Sequence, residues 1–331
     1  MSQTKNSSYK KLFSLWESSE DAFEKEVLGR ILFDYVKNHH NEFKEYDKLL
    51  EQYREPECPR CHSDSFIKYG LSKNGTPRYQ CKECGKTFNC ASNTLFFSSK
   101  VNITAWFSFL ECLLDGTSVR SACTTAKISV VTGTAWMKKI FAALSDYQSL
   151  ITLDKTVYID ETYVHEDSSK IYLLEDIGKI KKVRKQLRGI SRNKICILVA
   201  TDEEKSFAEI VCHGRPQRKL NYQICKRHIQ EGSQLIGDED TSIVYAANQM
   251  NLTRAMYKSN TETSYAKLEP IDQFCARLKF FIDKHRGFKK GLLQDYLNLF
   301  VFIDNEKKDD GDLFKVTIQL LKMMCEQSKV A

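Results

Sequence analysis

The sequence predicts an α/β protein in which a strand-and-helix domain follows a small cysteine-rich module and a helical segment. Short β-branched and aromatic runs alternate with amphipathic runs from residue 150 to residue 305, as in a mixed sheet with packed helices. Two C-x2-C pairs lie within residues 56–90, at a spacing typical of zinc sites. Apolar residues recur at helical spacing within residues 100–148. These patterns predict several domains, of which the carboxyl-terminal one is the largest.

The composition is that of a soluble globular protein. Hydrophobic residues make up 42% and charged residues 28% of the 331 positions, which is enough apolar material for a buried core. No apolar run approaches the ~20 residues of a membrane-spanning helix, and the first residues lack the apolar core of a secretory signal. Twelve cysteines without such a signal favour a reducing compartment, with thiols free or bound to metal. We therefore expect a cytoplasmic protein without a membrane partner.

Both ends of the chain are predicted to be helical. Residues 1–55 contain a helical stripe of apolar side chains: Phe23, Val27, Leu28, Ile31, Leu32 and Tyr35. Residues 306–331 are predicted to form a carboxyl-terminal helical tail. The first segment carries no chemical motif, so we expect it to pack against the next domain or against a second subunit.

Four cysteines within residues 56–90 give the strongest local signal. They form two C-x2-C pairs separated by nineteen residues: Cys58, Cys61, Cys81 and Cys84. Each pair can turn around one cation, and four thiolates complete a closed tetrahedral site for a structural Zn²⁺. Strand-like runs at Phe66–Tyr69 and Pro77–Gln80 flank a loop, and Gly85 suits a turn with positive φ. A zinc ribbon is predicted, with free or redox-active cysteines as the alternative.

Residues 100–148 are predicted to form a helical domain with a helix-turn-helix pattern. Gly116-Thr117-Ser118 ends one helix and caps the next. A short helix (Val119–Ala126), a three-residue turn and a longer helix (Val130–Leu144) follow, and the longer helix of such a pattern enters the major groove of DNA. The polar candidates for DNA contact on that helix are Thr132, Thr134 and Lys138. A small helical bundle without DNA contacts is the alternative.

Residues 150–305 alternate between strand-like and helix-like runs. The predicted strands are Val157–Val164, Ile195–Ala200, Phe207–Cys212, Ser233–Gly237 and Thr253–Tyr257. The predicted helices are Pro216–Gln230, Pro270–Gly287 and Leu292–Ile303. Pro270 suits the first turn of its helix. Three strands, a helix, a further strand and closing helices describe a ribonuclease H-like α/β fold.

Three acidic residues occupy suggestive places in these elements. Asp160 lies in the first strand, Asp238 ends a later strand, and Asp272 falls in the first predicted turn of the following helix. Carboxylate oxygens from separate elements suit Mg²⁺ or Mn²⁺ rather than zinc. Lys279 lies two helical turns beyond Asp272, so both project from one flank of the helix, where the lysine could hold a DNA phosphate.

Each acid also has an ordinary structural explanation. Asp160 could lie on a solvated edge strand and Asp238 in a turn, while Asp272 could simply stabilise the positive end of a helix dipole. Glu161 faces the other side of its strand, where we expect it to support the site from behind or to pair with a basic side chain. The order, spacing and element type of the three acids together favour a shared metal site.

Basic residues concentrate between the first and second predicted strands. Eight of the sixteen residues from Lys179 to Lys194 are Lys or Arg and none is acidic, in a chain whose net charge is +7. Such a block suits a polyanion, although a solvated loop can have the same composition. The DNA-binding candidates within it are Lys181, Lys182, Arg184, Lys185, Arg188 and Arg192.

Taken together, the motifs resemble those of bacterial insertion-sequence transposases of the zinc-ribbon subgroup, which have a DDE-type catalytic domain. The residues that carry the resemblance are Cys58-x2-Cys61, Tyr79–Phe88, Asp160–Tyr163, Arg188–Lys194, Gly237-Asp238, Ile271–Lys279, Arg286-Gly287 and Tyr296–Asn298. The resemblance implies that Asp160 and Asp238 are the first two catalytic acids and Lys279 the trailing lysine. The third acid position of this subgroup is often Asn or Glu, where this chain has Asp272.

The resemblance implies a DNA transposase that cuts at insertion-sequence ends and joins 3′-hydroxyl ends to target DNA. Its implied partners are double-stranded DNA, as terminal inverted repeats and target, and further copies of the same chain at the prokaryotic nucleoid. Its implied cofactors are structural Zn²⁺ and catalytic Mg²⁺ or Mn²⁺. Two alternatives remain: a DNA-binding regulator or inactive transposase remnant, and a ribonuclease H-like nuclease that never joins strands.

Overall fold

A computed structural model describes most of the chain from the cysteine-rich module onwards. The described residues are 57–71, 77–89, 92, 101, 103–165, 194–258, 262–285 and 291–309, with Leu15 and six positions between 316 and 324. The contacts form two compact units, the first being Met1–Ile140 with Leu313–Ala331 and the second Phe141–Asp312. The predicted division into five segments stays a prediction, and the helical segment of residues 1–55 lies outside the described residues apart from Leu15. No helix in the described part of the chain is long and apolar enough to cross a membrane.

The cysteine-rich module in the first unit is a three-stranded antiparallel sheet. Its strands are β1 (Phe66–Leu71), β2 (Pro77–Cys81) and β3 (Thr87–Phe88), in the order β1-β2-β3. Three rings form a small core, because the ring centre of Phe66 lies 5.0 Å from that of Tyr79 and 5.8 Å from that of Phe88. So few apolar side chains bury too little surface to stabilise a module of this size alone, which agrees with a need for a metal cross-link.

Three helices follow in the order that the sequence predicts. They are α1 (Ile103–Leu114), α2 (Val119–Thr125) and α3 (Val130–Ala143). Ser118 Oγ accepts a hydrogen bond from the Ser121 N–H at the start of α2, and Ser129 Oγ accepts one from the Thr132 N–H at the start of α3. Both serines thus satisfy backbone donors that a helix leaves unpaired at its first turn. The turn between α2 and α3 includes Lys127, whose φ is 54°.

Aromatic packing and a glycine set how these helices meet. The ring of Trp106 in α1 stacks on that of Trp136 in α3 at a centroid distance of 3.7 Å, and Phe109 meets Trp136 edge-on at 5.4 Å. Helices α2 and α3 come together at Gly133, where an added Cβ would lie 2.2 Å from Cys123 Sγ. Only a residue without a side chain fits that contact, so the sequence here specifies a tight crossing of the two helices.

The second unit contains a five-stranded mixed sheet with four helices. The strands are β4 (Thr156–His165), β5 (Lys194–Thr201), β6 (Ser206–His213), β7 (Gln234–Asp238) and β8 (Thr253–Tyr257). The helices are α4 (Arg218–His228), α5 (Thr241–Gln249), α6 (Glu262–Lys284) and α7 (Leu293–Asp309), and a 3₁₀ turn spans Gln148–Leu150.

The strand order is β6-β5-β4-β7-β8. β4, β5 and β6 pair antiparallel, while β7 and β8 continue the sheet in parallel from β4. β5 is buried from its second residue to its last, as expected for an inner strand with both faces covered. Helix α6 packs on β4, β5 and β7, and α4 packs on α5. Three antiparallel strands extended by two parallel ones form the ribonuclease H-like arrangement, so the predicted fold class is confirmed.

Helix α6 differs from the prediction in where it begins. It begins at Glu262, so Pro270 lies inside the helix rather than in its first turn, and Asp272 lies about two turns further in than expected. Proline removes one backbone hydrogen bond, but the buried side chains of Ile271 and Phe274 continue the helical face past it. Stabilisation of a helix terminus therefore does not explain Asp272.

Helix α5 was not predicted from the sequence. Asp240 caps it, because the Asp240 Oδ1 accepts a hydrogen bond from the Ser242 N–H at 2.7 Å. The buried side chains of Ile243, Ala246 and Ala247 follow at helical spacing. Asp240, just ahead of this short apolar pattern, is the sequence signal that could have predicted the helix.

We expect Gly133→Ala to lower the free energy of unfolding of the first unit by about 1–2 kcal/mol. Overpacking against Cys123 costs about 1–3 kcal/mol, which exceeds the ~1 kcal/mol that alanine gains over glycine inside a helix. Urea unfolding followed by tryptophan fluorescence measures the change, since Trp106 and Trp136 lie at this helix contact. The double variant with Cys123→Ala makes room and should recover most of the loss. An equal loss in the double variant would contradict the contact.

Candidate functional site

The four predicted zinc ligands come together in the cysteine-rich module. The sulfur atoms of Cys58, Cys61, Cys81 and Cys84 all lie within 4.8 Å of one another. Cys58 Sγ lies 3.4 Å from Cys84 Sγ, and Cys61 Sγ lies 3.5 Å from Cys81 Sγ. Tetrahedral Zn–S bonds of about 2.3 Å imply sulfur separations of about 3.8 Å. The cluster could therefore hold a metal ion, and its four thiols fit zinc.

The two cysteine turns share one backbone shape. The His62 N–H donates to the Cys58 carbonyl at 2.9 Å, and the Gly85 N–H donates to the Cys81 carbonyl at 3.1 Å. His62 and Gly85 both have positive φ, 59° and 69°, so the positive φ predicted at Gly85 is present. Burial raises the pKa of the Cys58 thiol, but backbone hydrogen bonds within the turn outweigh it and lower that pKa to about 6. Such hydrogen bonds favour the thiolate, which is the form that binds metal.

Strand pairing brings Asp160 and Asp238 side by side. β4 and β7 run parallel with Ile159 paired to Gly237, and the next residue of each strand is one of the two acids. An added Cβ at Gly237 would lie 2.9 Å from the Ile159 carbonyl oxygen and 3.2 Å from Ile159 Cγ2. Glycine is therefore the residue that lets the two strands approach this closely.

Helix α6 brings Asp272, the third predicted acid, and Lys279 close to Asp160. Cys275, one turn beyond Asp272, has its Sγ 3.9 Å from Asp160 Oδ2. Asp272 and Lys279 are exposed on α6, whereas Asp160 and Asp238 are half-buried. The predicted acids thus lie in one neighbourhood, with Asp272 and Lys279 on its solvent side.

The electrostatics of this group favour a bound cation. Burial raises the pKa of Asp160 to about 7, and the charges of Asp238 and Asp272 act in the same direction. The Glu161 N–H, which donates to Asp160 Oδ1 at 2.7 Å, and the charge of Lys279 oppose that rise. Burial likewise raises the pKa of Asp238 and of Asp272. Carboxylates whose ionised forms are disfavoured by burial and by each other are stabilised by positive charge.

The three acids are spaced more widely than the four cysteines. Across the described ranges, the cysteine cluster is the one group of three or more possible ligands whose ligand atoms all lie within 4.8 Å. Asp160, Asp238 and Asp272 therefore do not close around a single point. A site for two ions does not require its ligands to converge on a single point, because the ions would lie about 4 Å apart.

Glu161 lies on the opposite face of β4 and ties it to two helices. Its Oε1 accepts hydrogen bonds from Asn221 Nδ2, at 2.6 Å, and from the Ser242 hydroxyl. Its Oε2 accepts one from the Tyr163 hydroxyl at 2.6 Å. Asn221 belongs to α4 and Ser242 to α5, so one carboxylate joins three elements. The sequence suggested a supporting role for Glu161, but no local pattern identifies partners 60 and 81 positions away.

Asp240 connects this cluster to Asp238. The Ser242 hydroxyl lies 2.6 Å from Asp240 Oδ1, and the Asp240 N–H donates to Asp238 Oδ1 at 3.1 Å. Although burial raises the pKa of Asp240, hydrogen bonds from Ser242 hold it below its ordinary value. Asp240 is thus occupied as a helix cap, and Asp238 remains the acid beside Asp160.

Only part of the predicted DNA-binding set lies in the described residues. Thr134 and Lys138 are exposed on α3, while Thr132 is half-buried with its Oγ1 2.9 Å from Ser129 Oγ. The basic candidates outside the described residues are Lys181, Lys182, Arg184, Lys185, Arg188 and Arg192. DNA contact by either group stays a prediction.

We expect the chain to bind one zinc ion and Cys81→Ser to abolish that binding. Three thiolates and a hydroxyl no longer complete a tetrahedral sulfur site, so the module should unfold. Metal analysis of protein purified without added zinc gives the stoichiometry, and proteolysis of the module reports its folding. Cys112→Ser in α1 is the matched control and should retain zinc. Full zinc content in the Cys81 variant would contradict the assignment.

We expect Glu161→Ala to lower the free energy of unfolding of the second unit by about 1–3 kcal/mol. Alanine removes one of the two acceptors of the buried Asn221 amide, which also donates to Ser242 Oγ, and the acceptor of the Tyr163 hydroxyl. Glu161→Gln should be much milder, because its oxygen can face Asn221 while its amide donates to the Tyr163 hydroxyl. Urea denaturation compares the variants. Equal losses for Ala and Gln would show that charge, not hydrogen bonding, matters at this position.

Sequence comparison identifies proteins that are similar to this chain. Residues 152–305 match the model of the ISXO2-like transposase domain. A protein of the transposable element ISH50 of Halobacterium salinarum is 33% identical over 177 residues, which cover 45% of this chain and 59% of that protein. The chain therefore spans less than two thirds of that relative.

Solved structures give weaker similarities. The Mos1 strand transfer complex matches with a TM-score of 0.31 and 13% identity, over 68% of this chain and 78% of that one. The Mos1 mariner paired-end complex with Mn matches with a TM-score of 0.30 and 12% identity, over 67% and 78%. Because both scores are low, the fold assignment rests on the strand order of the sheet instead.

The sheet, the position of the acids and the sequence match concern the same stretch of chain. β4 to α7 fall within residues 152–305 except for the last residues of α7. The cysteine cluster precedes this stretch, in the order that the motifs predicted. Residues 152–305 are therefore similar to the ISXO2-like transposase domain, and the predicted resemblance to insertion-sequence transposases is confirmed.

Proposed function

We propose that the protein is a DNA transposase that cuts at the ends of an insertion sequence and joins the freed 3′-hydroxyls to target DNA. The observation that carries the proposal is the grouping of two acids on adjacent parallel strands with an acid and a lysine from α6. This group lies within residues 152–305, which match the model of the ISXO2-like transposase domain. The fold alone would not suffice, because one fold can serve many functions.

The acidic group has the donor chemistry for Mg²⁺ or Mn²⁺. Asp160, Asp238 and Asp272 offer hard oxygen ligands, and the raised pKa of Asp160 reflects negative charge that a cation would offset. Divalent ions held by these residues would activate water or a 3′-hydroxyl and stabilise the leaving oxygen of a phosphodiester.

The chain's own residues account for binding and positioning in this scheme. Lys279 is exposed on the same flank of α6 as Asp272 and can bind a phosphate of the cleaved strand. Burial raises the pKa of the Cys275 thiol to about 12, so it stays neutral and adds no charge beside Asp160. Glu161 and Asp240 anchor the strands and helix that carry the acids.

DNA binding by this chain is part of the proposal. α3 would occupy a major groove, and the basic block from Lys179 to Lys194 would contact DNA phosphates. Transposition joins two ends in one event, so the active form would be a homo-oligomer that holds a pair of terminal repeats. The zinc-ribbon module would add a further DNA-contacting surface.

We expect Asp160→Asn to reduce DNA cleavage and strand joining by about a thousandfold or more, because removing one ligand of the ion pair loses several kcal/mol of transition-state stabilisation. The assay uses the zinc-loaded protein, Mg²⁺ or Mn²⁺, and the element's native flanking DNA, with a precut end to isolate joining. Asp146→Asn, an exposed aspartate of the same unit, is the matched control and should keep full activity.

The outcomes separate the proposed function from its alternatives. Metal-dependent cleavage and joining that both disappear in Asp160→Asn support the transposase. Cleavage without joining of a precut end indicates a nuclease. DNA binding without either reaction indicates a regulator or an inactive remnant.

A further inference from the structure

The exposed face of α3 is built from methyl groups. Its outward residues include Val130, Val131, Thr134 and Ala135, while Trp136 and Met137 are buried on the opposite face. Val131 is 82% exposed, the highest value among the large hydrophobic side chains in the described part of the chain. An aliphatic residue left in water at that position contributes nothing to the core of this unit.

The threonine hydroxyl groups of this helix form hydrogen bonds within the protein. Thr134 Oγ1 donates to the Val130 carbonyl at 2.8 Å. Thr132 Oγ1 lies 2.9 Å from Ser129 Oγ, which also accepts from the Thr132 N–H at 3.1 Å. Thr134 therefore offers a partner its methyl group. The Thr134 hydroxyl uses its proton in the bond to the Val130 carbonyl, so towards a base it can act only as an acceptor.

The surroundings of this face are positively charged. From Gly116 to Ser145 the sequence contains four basic residues and no Asp or Glu. Arg120, Lys127 and Lys138 are exposed. Such a field attracts a polyanion and opposes a second copy of the same face, since neither copy brings an acid to pair. Four small side chains also cover far less than the ~800 Å² per partner of a standard protein interface.

We propose that α3 reads the 5-methyl groups of thymine in the major groove of duplex DNA. In that groove thymine is the base that presents a methyl group, and apolar contact with Ala, Val or the Thr methyl is a recognised means of detecting it. Arg120, Lys127 and Lys138 would hold the flanking phosphates, which fixes the helix without selecting a base. This inference rests on the proposed function, because it supplies the base preference of the DNA that the enzyme would hold.

The test uses duplex pairs that differ in a single methyl group per base pair. Zinc-loaded full-length protein is titrated against the alternating duplexes poly(dA-dT) and poly(dA-dU) by fluorescence anisotropy at one salt concentration. A methyl group removed from an apolar contact weakens binding about three- to fivefold, so the thymine duplex should bind at least that much more tightly. Adding the methyl group to cytosine in poly(dI-dC) should strengthen binding similarly. Contacts in the minor groove do not distinguish the members of either pair.

Two variants assign the effect to this face. Val131→Ala and Thr134→Ser remove only methyl groups from exposed positions, and both should bring the ratio of the two affinities towards one. Lys138→Ala should weaken binding of both duplexes equally and leave the ratio of their affinities unchanged, because a phosphate contact does not depend on the identity of the base. A preference for thymine that survives in Val131→Ala and Thr134→Ser overturns the assignment.

Other outcomes distinguish this inference from the proposed function. Equal binding of the two duplexes by the wild-type protein overturns methyl recognition and leaves the transposase proposal standing. Binding to neither duplex overturns both the inference and the DNA-holding role. A sedimentation shift from dimer to monomer in Val131→Ala, without any thymine preference, would reassign the face to self-association.

Discussion

The candidate site in the second unit depends on a fold that holds two acidic side chains, Asp160 and Asp238, next to each other. Parallel pairing of β4 with β7 fixes Asp160 next to Asp238, and Gly237 permits the close approach of those strands. Burial and mutual repulsion both disfavour the ionised acids, which raises the pKa of Asp160 to about 7. A fold that keeps such a pair stores an electrostatic cost, and a divalent cation would relieve it.

Hydrogen bonds made by Glu161 and Asp240 fix the elements around the pair, while the charges of both residues add to the rise in the pKa of Asp238. Glu161, on the opposite face of β4, accepts three side-chain hydrogen bonds, two of them from α4 and α5. Asp240 caps α5 and donates its N–H to Asp238. The acids are thus fixed from behind by rigid elements, while their front faces α6 with Asp272 and Lys279. That asymmetry suits a site where a large polyanion arrives from the solvent side.

Sequence patterns predicted the fold class and the cysteine cluster, because each depends on short-range spacing or alternation, and the catalytic acids stay a prediction. These patterns did not predict features that depend on contacts between residues far apart in the chain. Two of the partners of Glu161 come from helices far along the chain. The start of α6 at Glu262 was missed because Pro270 ordinarily marks the first turn of a helix. Thr134 stays a predicted DNA contact, and the structure adds that its hydroxyl donates to the Val130 carbonyl of its own helix, as threonine often does.

The central claim is that Asp160, Asp238 and Asp272 bind divalent cations together. Titration of Mn²⁺ into the zinc-loaded protein, followed by electron paramagnetic resonance, measures that binding without requiring a DNA sequence or a reaction. The account predicts saturable Mn²⁺ binding in the wild-type protein that is strongly weakened in both Asp160→Asn and Asp238→Asn, with zinc content unchanged. Mn²⁺ binding of equal affinity in the wild type and both variants would contradict it.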